Sequence, residues 1–321
     1  IEDKISAHIH VHDRYYDTAV KNKYYSQSFN FKGERKINFS EKISIGFGSD
    51  YNYNKGDFQV KGNWGSSAKG HSDNLGIYSN IGYAIDENTI LSSHLRGDSH
   101  KYSEENLTYR LNLMKLINDF TFSLSESTGL RYPDLFVLHG SNPSGSFKSM
   151  KTTKPEKSKN RELSVKYNFS DNLFLKTSAY KGYVSDVLNR GTSTSGYNEM
   201  IDIKQEGLEN SLVLDNQDQK IVLSSTFSKS REGDGDPQLR RPEKQFGIKY
   251  SKKLITSFLG EFNINYDYRH VGKVEDWKNG SVRAKVDSSD IMNLNLSKDF
   301  YGSVWSLNVL NLTDEKYQRP D

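Results

Sequence analysis

Polar and apolar residues alternate along about fifteen separate stretches of this chain, joined alternately by tight turns and by long polar loops. Leu163, Val165, Tyr167 and Phe169 interleave with Glu162, Ser164, Lys166 and Asn168. A pleated strand sends successive side chains to opposite faces, so such a stretch carries one apolar and one polar face. Phe258, Phe262, Ile264, Tyr266 and Tyr268 interleave in the same way with Glu261, Asn263, Asn265 and Asp267. So do Trp305, Leu307 and Val309 with Ser306 and Asn308, and Ile5, Ala7, Ile9 and Val11 with Ser6, His8, His10 and His12. A half-polar strand also suits the antiparallel sheet of a soluble protein. Connection lengths separate the two.

The pattern predicts strands over residues 3–12, 22–38, 42–54, 74–85, 89–98, 105–116, 119–127, 160–169, 172–182, 197–214, 218–229, 243–252, 256–268, 289–297 and 302–310. One set of connections is short: Ser40-Glu41, Asp86-Glu87-Asn88, Ile117-Asn118, Ser170-Asp171, Asp215-Asn216-Gln217, Lys253-Leu254 and Asp299-Phe300. These are mostly turn-type residues, at which chain reversal is cheap. The other set, 13–21, 55–73, 99–104, 128–159, 183–196, 230–242 and 269–288, is long and rich in Gly, Ser, Asn, Lys and Asp. Short and long alternate strictly, as in an up-and-down transmembrane barrel with periplasmic turns at one rim and extracellular loops at the other. A Greek-key sandwich has no reason to keep that alternation. Self-similarity at 20 to 50 residues, the mark of propellers and solenoids, is not found.

Only 34% of the 321 residues are hydrophobic and the mean hydropathy is -0.78, lean for a large soluble core. A barrel with a wet lumen needs apolar side chains on its outward face alone. No run approaches the roughly 20 apolar residues of a spanning helix, so a membrane would be crossed by strands. Twenty tyrosines suit interfacial aromatic girdles. The absence of cysteine excludes disulfide scaffolds, thiol catalysis and Cys-based zinc sites, and suits passage through an oxidising periplasm. Forty-four basic and 41 acidic residues are finely mixed, which argues against nucleic acid as a partner. The chain begins at Ile1 without an initiator Met or export signal, and is expected to be a fragment or a processed chain.

Leu130-Arg131-Tyr132-Pro133-Asp134-Leu135-Phe136, then Lys154-Pro155-Glu156-Lys157-Ser158, then a strand opening Arg161-Glu162-Leu163, resembles the TonB-dependent outer-membrane receptors. Gly207-Leu208-Glu209 is similar to that family's Gly-x-Glu strand and Arg241-Pro242 to its Arg-Pro strand entry. Trp305 with Asn311-Leu312-Thr313-Asp314-Glu315-Lys316-Tyr317 resembles its near-terminal Asn-Leu-Thr-Asp-x-x-Tyr. The resemblance implies an all-β, transmembrane, antiparallel up-and-down barrel, partial, with about 15 of the family's 22 strands over residues 1–321. The family's N-terminal plug, its TonB-contacting segment, its first strands and its closing strand are not in this sequence. An open sheet in lipid leaves two edges of unsatisfied backbone groups. The compact loops look most like the cobalamin receptor branch.

His8, His10 and His12 lie at i, i+2 and i+4 and share one strand face about 7 Å apart at each step, which allows a metal site. With no acidic partner adjacent in sequence, three polar lumen residues are the favoured account. Asp50, Asp57, Glu87 and Asp234 to Asp236 lack calcium-loop spacing and read as solvated loop charge. No phosphate loop, zinc helix or nucleophile-turn motif occurs, so catalysis is not expected and no cofactor is implied. Better ligand candidates are the loop aromatics Trp64, Tyr132, Phe136, His139 and Trp277, whose rigid rings stack on a flat ligand at low entropic cost. Each has a plainer role in loop packing or at the bilayer interface.

The resemblance implies a receptor in the outer membrane of a Gram-negative bacterium. Its loops would bind a large scarce nutrient such as cobalamin or a ferric siderophore, and uptake would be energised by TonB through the missing N-terminal region. A passive porin-like or structural barrel, or a soluble β-rich glycan-binding module, are the alternatives that the residues alone leave open.

Overall fold

The computed structural model describes residues 1–17, 21–60, 67–141, 149, 154–189, 199–233, 235–257, 260–278 and 282–317. The wall strands are β1 (Glu2–Asp17), β2 (Lys21–Asn38), β3 (Ile43–Val60), β4 (Ser67–Asp86), β5 (Thr89–His100), β6 (Asn106–Ile117), β7 (Phe120–Arg131), β9 (Glu156–Ser170), β10 (Leu173–Asn189), β11 (Glu199–Asp215), β12 (Gln219–Glu232), β13 (Lys244–Thr256), β14 (Gly260–Val271), β17 (Ser289–Phe300) and β18 (Ser303–Val309). Their hydrogen-bonded order follows the chain without a crossover. All fifteen strands expected from the alternation are present, and the fold is all-β and antiparallel. Between β7 and β9 stand a five-residue helix α1 (Leu135–His139) and β8 (Gly140–Ser141), which pairs with β4. The hairpin β15 (Val274–Lys278) and β16 (Val282–Val286) forms a sheet of its own.

The short turns are closed by their own side chains. Ser40 Oγ accepts from the backbone of Lys42 and Ile43 at 3.2 and 3.1 Å, and Asp86 Oδ1 from Asn88 at 2.8 Å. Asn216 Oδ1 accepts from Asp218 and Gln219. Two turns fall later than the sequence suggested. The β13–β14 reversal ends on Gly260 and the β17–β18 reversal on Tyr301-Gly302, because these residues take positive φ.

The long connections are shorter than expected. β3 runs to Val60 and β4 starts at Ser67, so most of 55–73 is paired strand. Polar and small residues there mark strand with one face in water and the other, at Gly56, Ala68 and Gly70, under α1. A strand crosses a bilayer in about 9–11 residues. β4 has 20, so about half of it stands clear of any hydrocarbon.

Two compact units are distinguishable: residues 1–114, 125–160 and 183–202, and residues 115–124, 161–182 and 203–321. In the first, register aligns an apolar row: Ala7 faces Phe31, Phe31 faces Tyr51 and Tyr51 faces Leu75. In the second, Leu223 faces Ile248, Ile248 faces Tyr268 and Tyr268 faces Met292. Neither row is covered: Phe31 is 41% and Leu75 46% exposed in the first, Leu223 41% and Ile248 37% in the second. Among the described residues the buried hydrophobics are only Ala68, Tyr78, Val137, Leu138, Ile203, Val213 and Val274. A water-soluble sheet would hide those rows in a core; here each unit leaves its apolar face uncovered, as on the lipid side of a barrel wall.

Candidate functional site

Every second residue near the loop end of β3, β4 and β5 is polar, and register brings the three rows together. Asn52 faces Asn74, which faces His100; Asp50 faces Gly76, which faces Asp98. A side chain on Gly76 would overlap the Arg96 guanidinium, so the glycine lets that group lie flat across β4. Arg96 thereby reaches Asp50 through Nη1 at 2.5 Å and Nη2 at 3.0 Å. It also holds Asp98 on its own strand through Nε and Nη2 at 2.8 and 2.7 Å. Both carboxylates are gripped by two donors, the strongest ion-pair geometry available to a side chain. Asn74 Nδ2 donates to Asp98 at 2.9 Å and the Tyr78 hydroxyl donates to Glu34 at 3.0 Å.

Above this network the chain folds α1 onto the same polar face. Asp134 caps it, its carboxylate accepting from Val137 N at 2.9 Å, while Val137 and Leu138 are buried with Ala68 of β4 nearby in the apolar set. Glycines again open the space: the His139 ring occupies the place of a side chain on Gly70, and Leu135 lies against Gly56. Gly56 and Gly70 face each other across β3 and β4. The pairing of Ser67 with Ser141 and Ala68 with Gly140 ties the segment down.

Tyr132, just past β7, stacks on His100 with centroids 4.2 Å apart and 10° between planes. Burial pushes its phenol up to about 12. The Tyr102 backbone N–H donates to His100 Nδ1 at 3.2 Å, which leaves the proton of the neutral ring on Nε2. Tyr102 in turn meets His139 edge to face at 5.2 Å. Between α1 and the wall lies a cavity of about 660 Å³. Asn52, Asn54, Ser72, Asp73, Asn74 and His100 line it from the strands, and Phe58, Tyr132, Pro133, Asp134, Leu135 and Phe136 complete it. Amides and a carboxylate on one side and flat rings on the other suit the orienting of a large ligand with both polar and planar parts.

Of the aromatic candidates, Tyr132 and Phe136 line this cavity, and His139 packs beside it on Gly70. Trp277 is elsewhere, on the β15–β16 hairpin, with Arg283 over its ring at 5.6 Å. Trp64 lies outside the described residues. The strand residues Asn52, Asn74 and His100 are not among the sequence candidates, although their polarity at alternate positions is visible there. His8, His10 and His12 lie on the polar row, His8 opposite Asn30, and His10 and His12 stack at 6.1 Å. Among the described residues no group of three or more His, Asp or Glu is arranged to hold a metal ion. Asp50 is bound to Arg96, and Asp57 to Gln59 and Lys69.

The motif residues brace the wall. Pro133 lines the cavity and Pro155 is fully buried. Glu156 meets Arg131 at 3.4 Å and accepts from Leu188 N at 3.4 Å, linking the loop ends of β7, β9 and β10. Gly207 leaves room for the Tyr180 ring, and Glu209 two residues on faces Thr226. Asn311, at positive φ, accepts from Glu315 N at 3.0 Å and donates to Glu315 O at 3.1 Å, while Leu312 N bonds Met292 O and Asp314 N bonds Asn311 O. That knot ends β18; Asp314 is also at positive φ, and Tyr317 closes the described stretch.

A family model described as TonB dependent receptor-like, beta-barrel, matches residues 5–312. No curated protein sequence matches the chain. Among solved structures, the ferripyoverdine receptor of the outer membrane of Pseudomonas aeruginosa is similar at a TM-score of 0.75 and 12% identity, over 98% of this chain and 50% of its own. The siderophore receptor PirA from Acinetobacter baumannii gives 0.73 and 17% over 92% and 51%. The ferric yersiniabactin uptake receptor FyuA from Yersinia pestis gives 0.75 and 12% over 98% and 54%. The chain thus spans about half the length of these structures, and at such identities the likeness is one of fold.

Proposed function

The chain belongs to the TonB-dependent receptor β-barrel family, and from that premise we propose that it is the barrel portion of an outer-membrane active-transport receptor. The loop end faces the outside, and a large scarce nutrient, a metal chelate such as a ferric siderophore or a cobalamin, binds there. A plug and a TonB-coupling segment in the rest of the protein gate the lumen and draw on the inner-membrane energy supply, since the outer membrane holds no nucleotide to hydrolyse. Fold kinship alone would not choose a ligand.

The observation that carries this reading is the cavity of about 660 Å³ under α1, roofed by Tyr132 and Phe136 and floored by Asn52, Asn74 and His100. It opens on the polar face, where a passing ligand would enter, and its polar groups are fixed by strands rather than by loops. Trp64 and Trp277 stay separate candidates for ligand contact, on residue type alone. His8, His10 and His12 serve as polar wall residues.

The test uses the full-length receptor purified in detergent and titrated with a panel of ferric siderophores and cobalamin, followed by intrinsic fluorescence. One chelate is expected to bind, and Tyr132→Ala with Phe136→Ala to weaken it by about tenfold or more, roughly 1.4 kcal/mol. An open, conducting channel in the full-length protein with no such binding would overturn the proposal in favour of a passive pore.

A further inference from the structure

A second cavity, of about 470 Å³, lies at the loop end of the second unit, and two of the strand residues that line it, Lys244 and His270, are on the same face as Ile248 and Tyr268. Along that face Leu223, Ile248 and Tyr268 are followed by the Phe246–His270 pair, and Phe227 faces Lys244 one step further toward the loops. Phe227 and Phe246 meet edge to face at 5.6 Å, and Phe246 and His270 approach at 5.8 Å. The row therefore passes from aliphatic to aromatic to cationic within two residue pairs, as a strand does when it leaves hydrocarbon for headgroups.

Four cations, Arg241, Lys244, Lys273 and Lys285, line the cavity with His270. The carboxylates around it are engaged. Glu243 accepts from Arg231 at 2.6 Å, and Glu275, though opposite Lys285, lies 3.6 Å from Arg283. Asp290 holds Tyr268 and His270 at 2.7 and 2.9 Å, and Asp287 holds Lys273 at 3.1 Å. Arg241, Lys244 and Lys285 have no ion-pair partner among the described residues. Gly272 donates to the Lys244 carbonyl at 2.8 Å, and a side chain there would press on that oxygen, so the approach stays open. Three uncommitted cations converging from a strand entry, a strand and a hairpin form a site for a dianion, with the arginine fork able to take two of its oxygens.

We propose that this cavity binds the phosphate monoester of an outer-leaflet lipid headgroup, with the lipid's chains lying along Phe246 and Ile248. A soluble phosphate offers the same oxygens, but nothing in it would use the aromatic and aliphatic row beneath. The inference rests on the reading that the apolar face meets outer-membrane lipid, and it is independent of the nutrient cavity in the first unit.

Full-length receptor in detergent is titrated with phosphatidic acid, and retained lipid is counted by native mass spectrometry, with phosphatidylcholine as the headgroup control. One phosphatidic acid is expected to bind at least tenfold more tightly than phosphatidylcholine. Arg241→Gln, Lys244→Gln and Lys285→Gln together are expected to abolish that preference, while Lys244→Arg with Lys285→Arg keeps it. Heat-modifiable migration confirms folding; should the triple variant fail it, Lys285→Gln alone, in the separate hairpin, is expected to lower the preference about threefold. Equal retention of the two lipids by the wild type, or no change in the folded variant, overturns the proposal. Full competition by millimolar inorganic phosphate also overturns it, in favour of a soluble anion. Nutrient binding is expected to be unchanged in the triple variant, and a wild type that binds no nutrient but keeps the lipid preference would count against the transport reading alone.

Discussion

Arg96 shows how one side chain depends on the absence of another. Its guanidinium spans β4 only because position 76 is glycine, and Asp50 and Asp98 are 12% and 5% exposed at the carboxylates it grips. Removing one partner of such a group leaves charge uncompensated, at a cost of about 3 kcal/mol or more. Arg96→Ala is expected to lower the urea midpoint of vesicle-reconstituted receptor accordingly. Gly76→Ala should act in the same direction by displacing the guanidinium, and the double variant should cost much less than the sum because both changes break one contact set. Additive losses would show that the cluster is not a unit. Tyr132 gives a pH signature: its phenol is raised by burial from 10.0 to about 12. Folded protein keeps that proton where unfolded chain has lost it. The stabilisation is therefore whole below pH 10 and lost as the pH rises to about 12. Alkaline loosening of residues 132–139, followed by hydrogen exchange, is expected to be weaker in Tyr132→Phe.

At the scale of elements, alternation and turn chemistry made all fifteen wall strands legible, because a lipid-facing strand must obey a period of two. Helix α1 was not legible. Its five residues, Leu-Phe-Val-Leu-His, are too few to show a period of 3.6, and the room for Leu135 and His139 is made by Gly56 and Gly70 on strands far away in sequence. The extensions of β3 and β4 are hidden for a related reason: one face is polar and the face under α1 carries Gly56, Ala68 and Gly70, so no apolar alternation can be read. Of the cavity, the loop rings Tyr132 and Phe136 were found by residue type, whereas Asn52, Asn74 and His100 needed the register between strands. The cap of α1 is open to test. Asp134→Ala removes the acceptor of Val137 N, worth about 1 kcal/mol, so exchange at that amide should quicken by roughly fivefold with the wall strands unaffected.

For the molecule as a whole, the decisive quantity is what touches the apolar row. Ile81 stands on it between Ile45 and Ser93, 46% exposed, whereas the next residue along, Gly82, faces Ser92 on the polar side. Were water on both sides of the wall, a lysine at either 81 or 92 would be close to neutral, since surface substitutions rarely exceed about 0.5 kcal/mol. Hydrocarbon on one side separates them. A lysine facing the bilayer midplane costs roughly 2–4 kcal/mol, while one facing the lumen finds water. Ile81→Lys is therefore expected to depress the folding equilibrium of the full-length receptor into lipid vesicles by that amount. Ser92→Lys should change it by less than about 1 kcal/mol. Equal effects of the two would remove the lipid-facing wall.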